Sequence, residues 1–213
     1  MSSSSRSRWR VSWTKPRRSG AGPDLGSVSV STTDLVAVGI SGSPSTTSKS
    51  RLLVEYALSR LAARGATPHL VDLAALPAEP LLGRGTAATV TAALEAATRA
   101  RILVAGTPVY RATYSGLLKL FFDLLPQDCM IGKVGVPIVT GHAAAHSLSV
   151  DHGMRPLFAS LGATVVASGV YATSSQFQEG KPGPELLEAV DRAVGEALAL
   201  ATAGLQGPIR RGT

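Results

Sequence analysis

Ten residues, Ser41-Gly42-Ser43-Pro44-Ser45-Thr46-Thr47-Ser48-Lys49-Ser50, pack hydroxyls around one glycine and one lysine. If a buried strand precedes them and a helix follows, this is the composition of an anion cradle. The first N–H groups of a helix point outward unpartnered, its dipole favours negative charge, and serine or threonine hydroxyls add donors. The same residues would also serve as an N-cap with a serine-rich turn. A second stretch, Thr107-Pro108-Val109-Tyr110, pairs a rigid extended proline with an aromatic able to lie along a planar ligand. A third, Thr140-Gly141-His142 with His146 four residues on, combines close backbone approach at glycine with an imidazole donor. His142, His146 and His152 also admit a metal reading, but the H-E-x-x-H glutamate is missing and Asp151 is the lone carboxylate nearby. No triad and no paired carboxylates stand out, so no catalytic base is nominated.

The elements that must position these loops alternate in an α/β rhythm from Asp34 onward. Strands are expected at 35–40, 69–73, 102–106, 134–139 and 164–171. Helices are expected around 52–65, closed by Gly65, and at 86–99, 114–125, 147–161 and 184–203. Runs such as LVAVGI and ILVAG are apolar on both faces, as central parallel strands covered by helices must be. The pattern implies a doubly wound five-stranded parallel sheet of flavodoxin-like order 2-1-3-4-5, with helices on both faces. All three polar loops then meet at the carboxyl rim, where such sheets bind ligands.

Composition bounds the rest. The chain is 45% apolar and 16% charged with a net charge of +7, which excludes a disordered chain. Residues 1–34 carry Arg6, Arg8, Arg10, Lys15, Arg17 and Arg18 against Asp24 and Asp34, so more than half of the excess charge sits there. That segment reads as a disordered basic extension, or an upstream mis-assigned start, in preference to a nucleic-acid arm. The domain is expected over 35–205, with a short disordered tail at 206–213. No apolar run approaches the ~18 residues of a membrane span. Cys129 is the single cysteine, so no intramolecular disulfide can form, in keeping with a cytoplasmic location. The dinucleotide G-x-G-x-x-G and P-loop patterns are both absent.

Three co-linear segments, GISGSPSTTSKSRLLVEYA, GTPVYRATYSGLLKLFFDLLP and GKVGVPIVTGHAAAHSLSVDHGMRPLFASLGA, resemble the NADPH-dependent FMN reductases of flavodoxin-like fold. They are most similar to the reductase partners of two-component alkanesulfonate monooxygenases, and the resemblance runs from about Leu35 to Tyr171. It implies that Ser43, Ser48, Lys49 and Ser50 hold the FMN phosphate. Thr107, Pro108, Val109 and Tyr110 would then lie beside the isoalloxazine, and Thr140, Gly141 and His142 would reach its pyrimidine edge. Two positions depart from the family pattern. Ser45 stands where an arginine is usual, with Arg51 offered as compensation, and Lys49 stands in place of another arginine. Tyr114 matches a tyrosine that sits in a π-helical bulge beside the flavin at a subunit interface.

The activity implied is hydride transfer from NADPH or NADH to FMN, with reduced flavin passed to a partner monooxygenase. The alternative is a reductase that keeps FMN bound and reduces quinones, azo dyes or chromate. A flavin-binding module that does not turn over, with its basic arm on nucleic acid, is the third class and the least expected. A homodimer or homotetramer is implied by the resemblance. It is also suggested by LLKLFFDLL, whose Phe121 and Phe122 cannot both face one helix stripe.

Overall fold

The computed structural model describes residues 35–45 and 47–203; the expected extension at 1–34 and tail at 206–213 lie outside the described residues. Elements follow in the order β1 Val36–Ser41, α1 Lys49–Ala62, β2 Thr67–Asp72, α2 Ala78–Leu81, α3 Ala88–Arg99, β3 Ile102–Pro108 and α4 Gly116–Asp123. The chain continues through β4 Val134–Gly141, α5 Arg155–Ala159, β5 Thr164–Val165, β6 Val170–Thr173, the small hairpin β7 Phe177–Gln178 with β8 Lys181–Pro182, and α6 Pro184–Ala203. The main sheet is parallel in the order β2-β1-β3-β4-β5, and β6 also pairs with β4. This is the flavodoxin-like order expected from the alternation.

Apolar residues on both faces of β1, β3 and β4 require a helix layer on each side. On one face, Leu53, Val54, Ala57, Leu58 and Leu61 of α1 join Leu186, Val190, Val194 and Ala197 of α6. On the other, α3, α4 and α5 bury Ala93, Ala97, Phe121, Phe122, Leu157 and Phe158. Gly39 and Gly106 let α1 lie against the strands: a Cβ at Gly39 would fall 2.5 Å from Val54 Cγ1, and one at Gly106 would fall 2.9 Å from the Ser50 carbonyl. That close approach fixes the amino end of α1 over the carboxyl end of the sheet. Gly65, at φ 89°, ends α1 as expected, with the Ala66 N–H donating back to the Leu61 carbonyl.

Several expectations are corrected. The fifth strand, read as continuous from 164 to 171, is two pieces. The Val134 N–H and the Thr140 carbonyl bond toward β3, so Gly135 and Pro137 turn to the other side. There Gly135 accepts from the Val166 N–H, whereas Pro137 has no N–H to offer. Opposite this gap the chain leaves the sheet at 166–169. Arg155 donates to the carbonyls of Val166 and Ala167, and the Glu196 carboxylate accepts from the N–H groups of Ala167 and Ser168. The helix expected at 147–161 begins as a 3-10 turn at Ala144–Ser147 and passes through a π turn at Val150–Met154 before α5. Phe121 and Phe122 are both buried, at 0% and 3% exposure, with Phe122 edge-on to Phe158. Helix α4 therefore places both rings in the core of its own domain, and this pair gives no subunit face.

Candidate active site

The first loop leaves β1 at Ser41 and enters α1 through Ser48. Ser48 is the N-cap in extended geometry, with its hydroxyl 3.4 Å from the Arg51 nitrogen and 2.8 Å from the Ser50 hydroxyl. Ser43, Ser48 and Ser50 are all buried, at 3%, 8% and 0% exposure, and the Ser43 hydroxyl accepts from the Ser45 N–H. Ser41 is fully buried too, and its hydroxyl has no partner among the described residues. A buried orphan of this kind costs roughly 1–3 kcal/mol unless something bonds it. Lys49, half-buried on the same turn, holds its ammonium 5.1 Å from the centre of the Phe177 ring on the β7–β8 hairpin. Arg51 is committed elsewhere: its guanidinium pairs with Glu55 at 2.8 Å and Asp72 at 2.5 Å, and the Glu55 bond raises its already high pKa. These two pairs hold its Nε and one terminal nitrogen toward Glu55 and Asp72.

The second loop is tied to both neighbours. The Gly42 N–H donates to the Gly106 carbonyl at 2.7 Å, and the Ser115 hydroxyl donates to the Gly42 carbonyl. Ser115 is also the N-cap of α4, accepting from the Leu118 N–H. On the other side the Val109 N–H donates to the Thr140 carbonyl at 2.7 Å. Thr107 is buried and its hydroxyl is used inside the loop, accepting from the Ser115 N–H and donating to the Pro108 carbonyl. Thr107 therefore shapes the loop and does not offer its side chain to a ligand. Tyr110, 48% exposed, closes a two-residue turn with Thr113 through reciprocal backbone bonds. Arg111 and Ala112 at its tip both have positive φ, 51° and 70°. Such a turn normally carries Asn-Gly, so the tip is strained.

Tyr114 precedes the α4 N-cap, and the π turn of this region lies instead at Val150–Met154. The bulge expected at Tyr114 is therefore not present there, and the Val150–Met154 π turn is a separate feature that approaches Tyr114 at Gly153. A Cβ at Gly153, within that π turn, would fall 2.5 Å from the Thr113 hydroxyl and 3.4 Å from the Tyr114 ring.

The third loop continues from Thr140, nearly buried, through Gly141 to an exposed His142. His146 and His152 line a cavity of about 310 Å³ together with Ala112, Thr113, Leu148 and Ser149, between the second and third loops. Among the described residues no three His, Cys, Asp or Glu side chains come together as a metal site. A second cavity, about 490 Å³, opens beside Thr47, Ser48, Lys49, Arg51 and Gly180 at the head of α1. A cavity of about 660 Å³ between β2 and α3 is lined by residues of neither the second nor the third loop.

With this arrangement in view, the sequence profile of the NADPH-dependent FMN reductases matches residues 36–178, a span that contains all three loops. The chain belongs to this family. An FMN reductase (NADPH) of Pseudomonas putida is 34% identical over 167 residues, covering 77% of this chain and 85% of its own length. An NADH-dependent FMN reductase, SfnF, of Pseudomonas fluorescens is 34% identical over 171 residues, 78% of this chain and 90% of its own. The solved apo form of the NADH:FMN oxidoreductase EMOB superposes with a TM-score of 0.72 at 34% identity, covering 79% of this chain and 89% of that one.

The residues of this reductase fit the flavin nucleotide its family uses. The orphaned Ser41 hydroxyl and the buried Ser43, Ser48 and Ser50 hydroxyls lie along the loop that runs from β1 into the amino end of α1, with Lys49 supplying positive charge. Sequence reading placed Ser41 in the first loop without singling it out, did not name Ser115, and read Tyr171, whose hydroxyl donates to the Ala143 carbonyl, only as the end of a strand. A polar residue closing an apolar strand was the available signal for Ser41. Nothing in the spacing marked the other two.

Proposed function

We propose that this FMN reductase takes FMN as a dissociable substrate, reduces it with NADPH or NADH, and releases reduced flavin to a flavin-dependent monooxygenase of the alkanesulfonate type. The observation that carries this reading is the linkage of the three loops at one rim, Gly42 to Gly106 and Ser115, and Val109 to Thr140, around a cluster of buried hydroxyls. In it, Ser43, Ser48, Lys49 and Ser50 hold the phosphate, aided by Ser41. Pro108, Val109 and Tyr110 flank the ring, with Thr107 shaping their backbone. Thr140, Gly141 and His142 meet its pyrimidine edge.

When bound, FMN supplies the chemistry, accepting a hydride from the nicotinamide. The protein's work is to stack, orient and exclude water. Alignment of two reactants can supply several kcal/mol of the barrier without an acid or base. The names of the relatives divide between NADPH and NADH, and either coenzyme is consistent with this reading. Supply to a monooxygenase is supported by the loop motifs of the alkanesulfonate-type reductases. A homodimer or homotetramer in the cytoplasm belongs to the same reading, supported by Tyr110 and Leu148, exposed beside the site at 48% and 58%, and by the free thiol of Cys129. Among the described residues no helix is long and apolar enough to cross a membrane.

The phosphate cradle is tested by comparing FMN with riboflavin, which has the ring but no phosphate. Quenching of flavin fluorescence is expected to show FMN binding at least ten-fold tighter. Ser48→Ala and Lys49→Ala should each narrow that gap without weakening riboflavin. Equal affinity for the two flavins would remove the phosphate assignment.

A further inference from the structure

The fifth strand position is broken, yet its second half is held in register with the carboxyl end of β4, Val139 opposite Tyr171 and Gly141 opposite Thr173. Tyr171 and Gly141 point to the same face, since residues two apart on a strand share a side and Tyr171 sits across from Val139. The tyrosine ring leans along the strand over Gly141. A Cβ built at Gly141 would fall well under 3.0 Å from the Tyr171 hydroxyl oxygen and 3.2 Å from Cζ. From there the hydroxyl donates to the Ala143 carbonyl at 2.6 Å. The phenol is half-buried, and burial pushes its pKa up, so it remains the protonated donor through neutral pH.

The loop it reaches is mostly exposed and is braced by bonds within its own turn. His142, Ala143, Ala144 and Ala145 are exposed, the 3-10 turn at Ala144–Ser147 has no side-chain cap, and Ala143 has no side chain able to anchor it. Within the turn the Ala143 carbonyl also accepts from the His146 N–H, and the Ser149 hydroxyl donates to the His146 carbonyl; the Tyr171 bond adds a tie from this turn to the neighbouring strand β6.

We infer that Tyr171 is a positioning residue for the third loop: its ring takes the space beside Gly141 and its hydroxyl fixes Ala143, and together they set the backbone presented at Gly141 and His142. This rests on the reading above that the third loop meets the flavin. The pair is interdependent, because a methyl at position 141 must push the tyrosine oxygen off Ala143, and loss of that oxygen removes the closest contact and leaves Cζ at 3.2 Å.

A double-mutant cycle with FMN tests this. Tyr171→Phe removes one hydrogen bond and keeps the ring, and is expected to raise the KM for FMN about five-fold, with kcat at saturating FMN and the KM for NADPH changing less than two-fold. Gly141→Ala, by evicting the hydroxyl, should give a similar rise. The double variant should be no worse than either single by more than about two-fold, not the roughly 25-fold that independent effects would give. A purely structural role would lower the melting temperature and kcat together. Multiplicative effects, or an unchanged KM in Tyr171→Phe, would overturn the inference while FMN binding by the unmodified protein stood. Absence of FMN binding by the unmodified protein would instead overturn the site reading beneath it.

Discussion

The Ser115 hydroxyl donates to the Gly42 carbonyl while accepting the Leu118 N–H, so the cap of α4 is also the bolt between the first and second loops. Both residues are buried, and the Gly42 N–H is occupied in turn by the Gly106 carbonyl. Ser115→Ala removes an N-cap and leaves a buried carbonyl without its donor, which should cost about 1–3 kcal/mol. Urea unfolding should show the loss, and the KM for FMN should rise because the two loops are no longer locked. Unchanged stability would mean the link carries no weight.

The tip of the second loop stores strain. Ala112 sits at φ 70° and Arg111 at φ 51° in a turn that favours glycine. Ala112→Gly should raise stability by about 0.5–1 kcal/mol, the relief of the left-handed conformation outweighing glycine's extra chain entropy. A melting point higher by about 1–4 °C is the expected readout. Ala112→Val should lower it.

The π turn approaches the second loop at Gly153, where a methyl group would lie 2.5 Å from the Thr113 hydroxyl. Gly153→Ala should therefore destabilise the protein by about 1–3 kcal/mol through overpacking. Adding Thr113→Ala, which deletes the opposing oxygen, should recover most of that loss in a thermal melt. Additive losses would show that the contact is not the cause.

Acid stability should depend on Glu196. Burial alone works upward on its carboxyl, but the N–H groups of Ala167 and Ser168, together with Arg155, outweigh it and hold the pKa below the ordinary value. A depressed folded pKa contributes stability that is present above the unfolded value of about 4.3 and lost as pH falls through the folded one. Unfolding free energy measured from pH 6 down to pH 3 should therefore fall more steeply for the unmodified protein than for Glu196→Gln. Parallel profiles would contradict this.

Much of the architecture was legible because the central strands are apolar on both faces and the helices keep their period. Val36–Ser41, Ile102–Pro108 and Val134–Gly141 fell within two residues of expectation on most ends, and their order in the sheet followed from right-handed crossovers. The broken fifth strand had a signal, Pro137 inside VGVPIV, which removes a ladder donor on the side facing that strand. The density of hydroxyls in the first loop could be read from composition, but their burial could not, and the N-cap that composition equally allowed is present at Ser48. What escaped was tertiary. Arg51 looked available for phosphate until Asp72, 21 residues on, closed on it. Phe121 and Phe122 looked too many for one stripe until the fold buried both. The bulge at Tyr114 was implied by resemblance alone, and in this chain Tyr114 precedes the α4 cap and stands in no π turn.

Steady-state oxidation of NADPH followed at 340 nm, with and without added FMN, after recording the protein's own visible spectrum, tests the central claim most directly. A dissociable-flavin reductase is colourless as purified, oxidises NADPH only when FMN is added, and saturates with it. A yellow protein that turns over without added FMN and passes electrons efficiently only to a quinone or azo dye would contradict that claim, as would a protein that binds neither nucleotide.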